Sequence, residues 1–192
     1  MAIADLHDTA VSEWTPGPLK KGKLQTTAQL LRQGQPTPLI RIAPLDPEDA
    51  IWIPFAPSVY KGTGAEPRKN IVFTVPDEVK RQIDRLEEAV KAALRPAFPA
   101  LDSIWRSSTK PAGQYPASLR GKIWTSGPLQ CRTLDLEGGP VEMPNDWASL
   151  TCVPLLSISV YVQKRFAGLC IDVMELRLGP KRRRREAQWS FI

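Results

Sequence analysis

The chain has 192 residues and a formal net charge of +6, from 26 basic and 20 acidic side chains. This length suits one substantial domain with terminal arms. No stretch approaches the ~18 apolar residues of a membrane helix, and the acidic start lacks the apolar run of a signal peptide, so we expect a soluble, intracellular protein that does not enter membranes.

The first third of the chain is rich in proline, glycine and polar residues. Residues 1–35 are predicted to form a flexible N-terminal arm, with a short helix considered at residues 26–32. Closely spaced prolines continue through Pro57 and exclude long helices. The strands expected next, from their β-branched and aromatic content, are residues 38–42, 50–55 and 71–75, with a loop at residues 58–70.

Residues 76–95 are predicted to form one amphipathic helix. Pro76 suits a first helical turn, and the acidic Asp77 and Glu78 favour the positive end of the helix dipole. The apolar positions repeat with helical spacing and are Val79, Ile83, Leu86, Val90 and Leu94. The charged residues between them, including Glu87 and Glu88, are interpreted as a solvated face.

The second half of the chain is predicted to consist mainly of strands. Residues 96–117 form an irregular basic connection, and residues 119–124 then alternate between apolar and polar side chains. Further strands are expected at residues 129–136, 151–162 and 168–178, the last two forming a hairpin around the loop 163–168. Trp147 is expected to point inward.

Together these elements predict a mainly β protein. One amphipathic helix among roughly seven strands, with turn signals at the spacing of a small barrel, indicates an OB-like Greek-key barrel with extended N- and C-terminal arms. An open α+β sheet would have the same content, so the strand topology stays open. The expected division is a flexible arm at 1–35, an OB-like nucleic-acid-binding domain at 36–179 and a basic tail at 180–192.

The sequence lacks the usual residues of catalytic and metal sites. Its single histidine, His7, lies in the N-terminal arm, which leaves no Ser-His-Asp triad and no Cys-His pair in the domain. The acidic residues form no metal-binding spacing, and Cys131, Cys152 and Cys170 are read as reduced, mostly buried thiols. We therefore expect no enzyme, no metal and no cofactor.

Positive charge and aromatic rings share one interval that contains no acidic residue, between Asp102 and Asp135. The interval holds Arg106, Lys110, Arg120, Lys122 and Arg132, together with Trp105, Tyr115 and Trp124. Cations among flat rings are typical of surfaces that bind single-stranded nucleic acid. Alternation places Arg120, Lys122 and Trp124 on one face of their strand. The alternative is that both tryptophans lie in the core and the cations are merely solvated.

A second basic feature lies near the C-terminus, where five cations run from residue 181 to residue 185. Without them the chain has 21 basic and 20 acidic residues, a net charge of +1, so this run carries most of the basic character. Such a run is typical of a nucleic-acid-binding arm or of a nuclear import signal. We expect a nuclear protein in a eukaryotic source and a cytoplasmic one otherwise. The alternative is a solvated tail without a specific partner.

The order of these motifs resembles a known family. Phe73-Thr74-Val75-Pro76 leads into the helix, a basic irregular stretch follows, and a strand alternating cations and aromatics comes next. The segment 134–144 (LDLEGGPVEMP) and the hairpin 155–162 with 167–176 complete the series. Over residues 58–178 this order resembles the single-stranded DNA-binding proteins of T7-type phages and similar viral-like replication proteins. The resemblance implies an OB-fold that coats single-stranded DNA without sequence preference and without a cofactor.

The resemblance also implies a binding surface on one barrel face and its flanking loops. Carried onto this chain, that surface comprises Tyr60, Lys61, Lys110, Tyr115, Arg120, Lys122, Trp124, Tyr161, Lys164 and Arg165. The basic run adds Lys181, Arg182, Arg183, Arg184 and Arg185. Here the chain departs from the family, whose members end in an acidic tail with a terminal aromatic. A basic tail would add affinity for DNA.

The function predicted from the sequence is sequence-independent binding of single-stranded DNA in replication, recombination or repair, by phosphate neutralisation and base stacking. RNA, replication proteins and self-association stay open as further partners. Two alternatives also stay open. One is an RNA-binding, nucleocapsid-like protein. The other is a structural adaptor of a larger assembly, whose Pro-rich arms wrap neighbours and whose Trp14, Trp52, Trp147 and Trp189 fill pockets.

Overall fold

The computed structural model of the chain describes residues 3–6, 14–36, 39–43, 50–59, 66–113 and 116–182. Within these ranges the chain forms strands of one sheet and two helices. The strands are β1 (Ile3–Asp5), β2 (Trp14–Pro16), β3 (Lys20–Lys21), β4 (Thr26–Arg32), β5 (Gln35–Pro36), β6 (Leu39–Arg41), β7 (Arg68–Thr74), β8 (Trp105–Arg106), β9 (Thr109–Lys110), β10 (Ser118–Trp124), β11 (Arg132–Leu134), β12 (Leu150–Val162) and β13 (Ala167–Lys181). The helices are α1 (Asp77–Leu94) and α2 (Leu101–Ile104).

The central strands close into a barrel. β12 and β13 form a long antiparallel hairpin, β13 pairs in parallel with β10, and β10 pairs antiparallel with β7. Residues 51–53 join β7 to β12, the first and last strands of this order, and so close the barrel. Trp52 exchanges backbone hydrogen bonds of 3.2 and 2.8 Å with Thr74 of β7, and the Ile53 N–H donates to the Leu150 carbonyl of β12 at 2.9 Å. The predicted mainly β, OB-like barrel is confirmed, and the open sheet is excluded.

The barrel interior is filled by every second side chain of its strands. In β10 the buried positions are Leu119, Gly121 and Ile123, which leaves the polar side chains between them on the outside. Gly121 lies where β10 crosses β13, and a Cβ placed there would stand 3.3 Å from the Ile171 carbonyl oxygen. Glycine thus lets the two strands approach closely, and the pleat sends the intervening side chains outward.

Helix α1 packs its apolar stripe against the barrel, as the helical spacing predicts. All five predicted apolar positions are buried, and the helix ends within one residue of each expected boundary. The interpretation of Glu87 as a solvated acid is wrong, because its side chain is only 4% exposed. Glu87 lies beside the apolar stripe, and the segment that follows α2 covers it.

The N-terminal region contributes strands to the sheet. The helix considered at residues 26–32 is wrong: these residues form β4, which pairs with the end of β12 and with β2. Ala28 and Leu30 are buried on one face of β4, and Trp14 of β2 is 3% exposed against the core. Tertiary pairing and alternating burial outweigh the weak helical propensity of this stretch. The domain boundary at residues 35 and 36 stays a prediction.

The other differences lie in the second half. The connection predicted as irregular contains α2, β8 and β9, and the strand expected at 129–136 is shortened to β11. The expected hairpin is confirmed, and Trp147 is buried. β13 continues through Lys181, so the turn residues Gly179 and Pro180 do not end the sheet. No helix in the described ranges is long and apolar enough to cross a membrane.

Candidate nucleic-acid interface

An open groove of about 950 Å³ crosses the outer face of the barrel. Its walls come from β7, β10, β12 and β13, from the start of β4 and from the segment 106–108. The cationic side chains in its lining are Arg68, Arg106, Arg120 and Lys122, and the aromatic ones are Tyr161 and Phe166. The described lining contains no acidic residue, and Asp172, which pairs with Arg68 from outside the lining, offsets only one of its four cations, so the groove keeps a net positive charge.

Strand β10 supplies one wall through its outward-facing side chains. Arg120 is exposed, and Lys122 and Trp124 are half-buried on the same face. The Lys122 ammonium donates a hydrogen bond to the Asn70 side-chain oxygen on neighbouring β7. Trp124 therefore lies on the surface, whereas Trp105 packs against the core. The alternative with both tryptophans in the core is wrong, because both are half-buried, although Trp105 packs against the core.

Strand β7 adds Arg68 directly opposite Trp124. The Arg68 guanidinium carbon lies 5.9 Å from the centre of the Trp124 ring, within cation–π range. Its Nη2 also donates to Asp172 Oδ1 of β13 at 2.7 Å. Burial alone would lower the pKa of Arg68, but the hydrogen bond and the charge of Asp172 outweigh it and raise that pKa. Arg68 is thus a permanent cation in the wall of the groove.

A second cation–aromatic pair joins β8 to the hairpin. The Arg106 guanidinium carbon lies 5.5 Å from the ring centre of Phe166, which is 45% exposed in the turn between β12 and β13. β8 pairs with the first residues of β13, where a Cβ on Gly168 would stand 2.7 Å from the Arg106 carbonyl oxygen and 3.3 Å from the Tyr161 hydroxyl. Gly168 therefore brings Arg106, Phe166 and Tyr161 together. Burial raises the pKa of Tyr161, which stays a neutral phenol.

Helix α1 holds the segment that carries Arg106. The buried Glu87 carboxylate accepts hydrogen bonds from the Ser108 backbone N–H at 2.7 Å and from the Ser108 hydroxyl at 2.5 Å. It also accepts one from the Trp105 indole N–H at 3.2 Å. Because these donors flank Arg106, Glu87 determines where that cation enters the groove.

Comparison with solved structures finds this arrangement of strands in gp2.5, a single-stranded DNA-binding protein encoded by bacteriophage T7. The TM-score is 0.53 at 11% identity, over 75% of this chain and 96% of that chain. The chain has the fold of gp2.5. The resemblance predicted from the sequence is thereby confirmed as a resemblance in fold.

Two further similar structures are those of the single-stranded DNA-binding protein from bacteriophage Enc34. Its complex with single-stranded DNA has a TM-score of 0.48 at 12% identity, covering 89% of this chain and 97% of that chain. A second structure of that protein has a TM-score of 0.47 at 13% identity, covering 91% of this chain and 94% of that chain. No protein-family description matches the sequence, and no curated protein matches it.

The structure distributes the predicted binding residues unevenly. Arg120, Lys122 and Tyr161 line the groove, and Trp124 adjoins it through Arg68. Three predicted cations, Lys110, Lys164 and Arg165, are exposed but lie outside its lining. Tyr60, Lys61, Tyr115, Arg183, Arg184 and Arg185 lie outside the described residues. The binding role of all these residues stays a prediction.

Two residues predicted to belong to a basic tail are part of the barrel. Lys181 is the last residue of β13 and forms an ion pair with Asp146. The Arg182 N–H donates to the Ser149 carbonyl at 2.7 Å, and its guanidinium carbon lies 5.3 Å from the Trp52 ring centre. Neither residue lines the groove. Because Lys181 pairs with β12 and Arg182 is bonded to the residue before β12, these two residues extend the sheet.

Several residues of the groove are not among those predicted from the sequence. The loop predicted at residues 58–70 is wrong for Arg68 and Asn70, which lie in β7, and their alternation with buried Ile71 and Phe73 indicates a strand face. Arg106 was noted in the acid-free interval, but an irregular connection offers no pattern that orients its side chain. Phe166 had no sequence signal beyond its place in a turn.

The described cysteines are free thiols, as predicted. Cys131 and Cys152 are buried, and burial raises the pKa of Cys131 to about 12 and also raises the pKa of Cys152. Cys170 lines the groove, and burial together with the charge of Asp172 raises its pKa as well. Among the described residues, no group of His, Cys, Asp and Glu side chains is placed to hold a metal ion.

Proposed function

We propose that this chain binds single-stranded DNA without sequence preference, by neutralising phosphates and stacking bases in the groove. The observation that carries the proposal is the convergence of four cations from separate parts of the chain with aromatic rings along one open channel. The likeness in fold to gp2.5, itself a single-stranded DNA-binding protein, supports it.

The combination of groups favours unpaired strands. Guanidinium and ammonium groups bind phosphates of any sequence, and a ring stacks on any exposed base face. In a duplex the base faces are covered by their neighbours, so Phe166, Tyr161 and Trp124 would find no stacking partner. The proposal extends to a non-enzymatic role in DNA replication, recombination or repair, where single strands are exposed.

The burial of two tryptophans weakens the alternative that the chain is a structural adaptor. Trp14 and Trp147, two of the four tryptophans proposed to fill pockets on neighbours, are buried in this chain's own core. The nucleocapsid-like alternative is tested by competing single-stranded DNA, single-stranded RNA and duplex DNA of equal length for the protein in one gel. We expect single-stranded DNA to compete best.

The first experiment removes the C-terminal tail. Truncation should follow Arg182, because Lys181 pairs with β12 and the Arg182 N–H is bonded to Ser149. We expect the truncated protein to bind fluorescent oligo-dT more weakly than the full chain. The logarithm of its binding constant should fall linearly with the logarithm of salt concentration, by about 0.7 for each phosphate contact. Complete loss of binding would mean that the tail, and not the groove, binds DNA.

A second experiment addresses the face of β10. Trp124→Ala should weaken binding to oligo-dT, oligo-dA and oligo-dC alike by about 1–3 kcal/mol, because stacking is sequence-tolerant. Lys122→Ala should also lower the salt slope by about 0.7. Trp52→Ala is the matched control, since Trp52 is also half-buried but its ring lies against Arg182, outside the groove lining, whereas the Trp124 ring lies against the groove residue Arg68. A folded Trp124→Ala variant that binds oligo-dT like the wild type would remove Trp124 from the site.

A further inference from the structure

One cation of the groove, Arg68, already forms an ion pair within the protein. Arg68 Nη2 lies 2.7 Å from Asp172 Oδ1 and 3.3 Å from Cys170 Sγ, while its guanidinium carbon lies 5.9 Å from the Trp124 ring centre. Asp172 is half-buried on the outer face of β13, opposite Lys122 in the β10–β13 register. The carboxylate thus pairs with one cation of the groove, Arg68, and lies at the register position of a second, Lys122.

A carboxylate and a phosphodiester compete for the same donors. Arginine offers a planar fork of N–H groups that fits either anion, so a phosphate that approaches Arg68 must displace Asp172 or share the guanidinium with it. Sharing brings two negative charges close together, which is unfavourable. The guanidinium also lies over the Trp124 ring, so its release changes the surface that a base would meet.

We propose that Asp172 sets the affinity of the groove by holding Arg68 in an internal ion pair that a phosphate of the bound strand displaces. The inference rests on the proposed function. Asp172 forms the ion pair with Arg68 while the groove is empty, and it forms the pair again when the strand dissociates. The ion pair therefore lowers the affinity of the groove for the strand and favours dissociation of the strand. This suits a protein that must leave single-stranded DNA after binding it.

The test is the variant Asp172→Asn, titrated with fluorescent oligo-dT at low and at moderate salt. Removal of the competing charge should tighten binding about 3- to 10-fold at low salt, on the scale of an exposed ion pair plus the relieved repulsion. The salt slope should steepen by up to about 0.7, since Arg68 then makes a full phosphate contact. Asp172→Ser is the second variant, and thermal unfolding verifies that each is folded.

Asp102→Asn is the matched control. Asp102 accepts a hydrogen bond from Arg95 Nε at 2.9 Å in an exposed ion pair, and neither residue lines the groove. This variant changes the net charge as Asp172→Asn does, and we expect its affinity to stay within about twofold of the wild type.

The possible outcomes separate the two hypotheses. If the wild type does not bind oligo-dT, the proposed function fails. If the wild type binds and Asp172→Asn binds equally or more weakly, the inference about Asp172 is overturned while the function stands. Equal gains in Asp172→Asn and Asp102→Asn would also overturn it, because overall charge would then explain both. If neither Asp172 variant folds, Asp172 is a structural residue and the inference is likewise overturned.

Discussion

Replacing both Arg120 and Lys122 with glutamate is expected to weaken binding to a single-stranded oligonucleotide about 100-fold or more at ~50 mM salt. Both side chains line the groove from the outer face of β10. Loss of one single-strand phosphate contact costs about eightfold at this salt concentration, and a reversed charge adds repulsion to that loss. Fluorescence anisotropy titration measures the change, which should shrink as salt is raised.

The matched control is Arg81→Glu with Arg85→Glu. Both residues are exposed on helix α1, outside the groove lining, and the double variant has the same net charge. We expect it to retain affinity within about threefold of the wild type, because neither side chain lines the groove and salt screens exposed charges that do not contact the strand. Equal losses in the two double variants would show that overall charge, and not the groove, attracts DNA.

Glu87→Ala is expected to lower the free energy of unfolding by about 3–5 kcal/mol. The carboxylate is the acceptor for the Ser108 N–H, the Ser108 hydroxyl and the Trp105 indole N–H. Each buried donor left without an acceptor costs about 1–3 kcal/mol, and Ser108 is itself buried. Urea denaturation followed by circular dichroism measures the loss.

Two further variants serve as comparison and control for Glu87→Ala. Glu87→Gln keeps an acceptor oxygen and should lose about 1–2 kcal/mol, since its amide satisfies part of the network. Glu88→Ala changes the neighbouring acid, whose side chain is 62% exposed, and should stay within about 0.5 kcal/mol of the wild type. If Glu87→Ala unfolds at the same urea concentration as Glu88→Ala, Glu87 does not anchor the segment around Arg106.

The side chains whose positions follow from the sequence are those in elements with a clear repeat. The helix at Asp77–Leu94 and the exposed face of β10 follow from periodicity, because a helix repeats every 3.6 residues and a strand every two, whatever surrounds them. Residues 26–32 lacked such a clear pattern, so pairing with β12 decided their structure. The burial of Glu87 does not follow from its neighbours in sequence, which are charged, because its hydrogen-bond partners lie 18 and 21 positions away.

By itself the sequence determined the mainly β class, the amphipathic helix, the placement of Arg120, Lys122 and Trp124 on one face and the absence of acidic residues close to them along the chain. Only the tertiary structure decided which other residues join that face. Arg68, Arg106 and Phe166 reach it through strand register and the close approach at Gly168, and Asp172 brings an acid beside a stretch that has none in sequence. Local patterns arise from the geometry of one strand or helix, whereas a groove between strands depends on pairings between residues far apart in the chain.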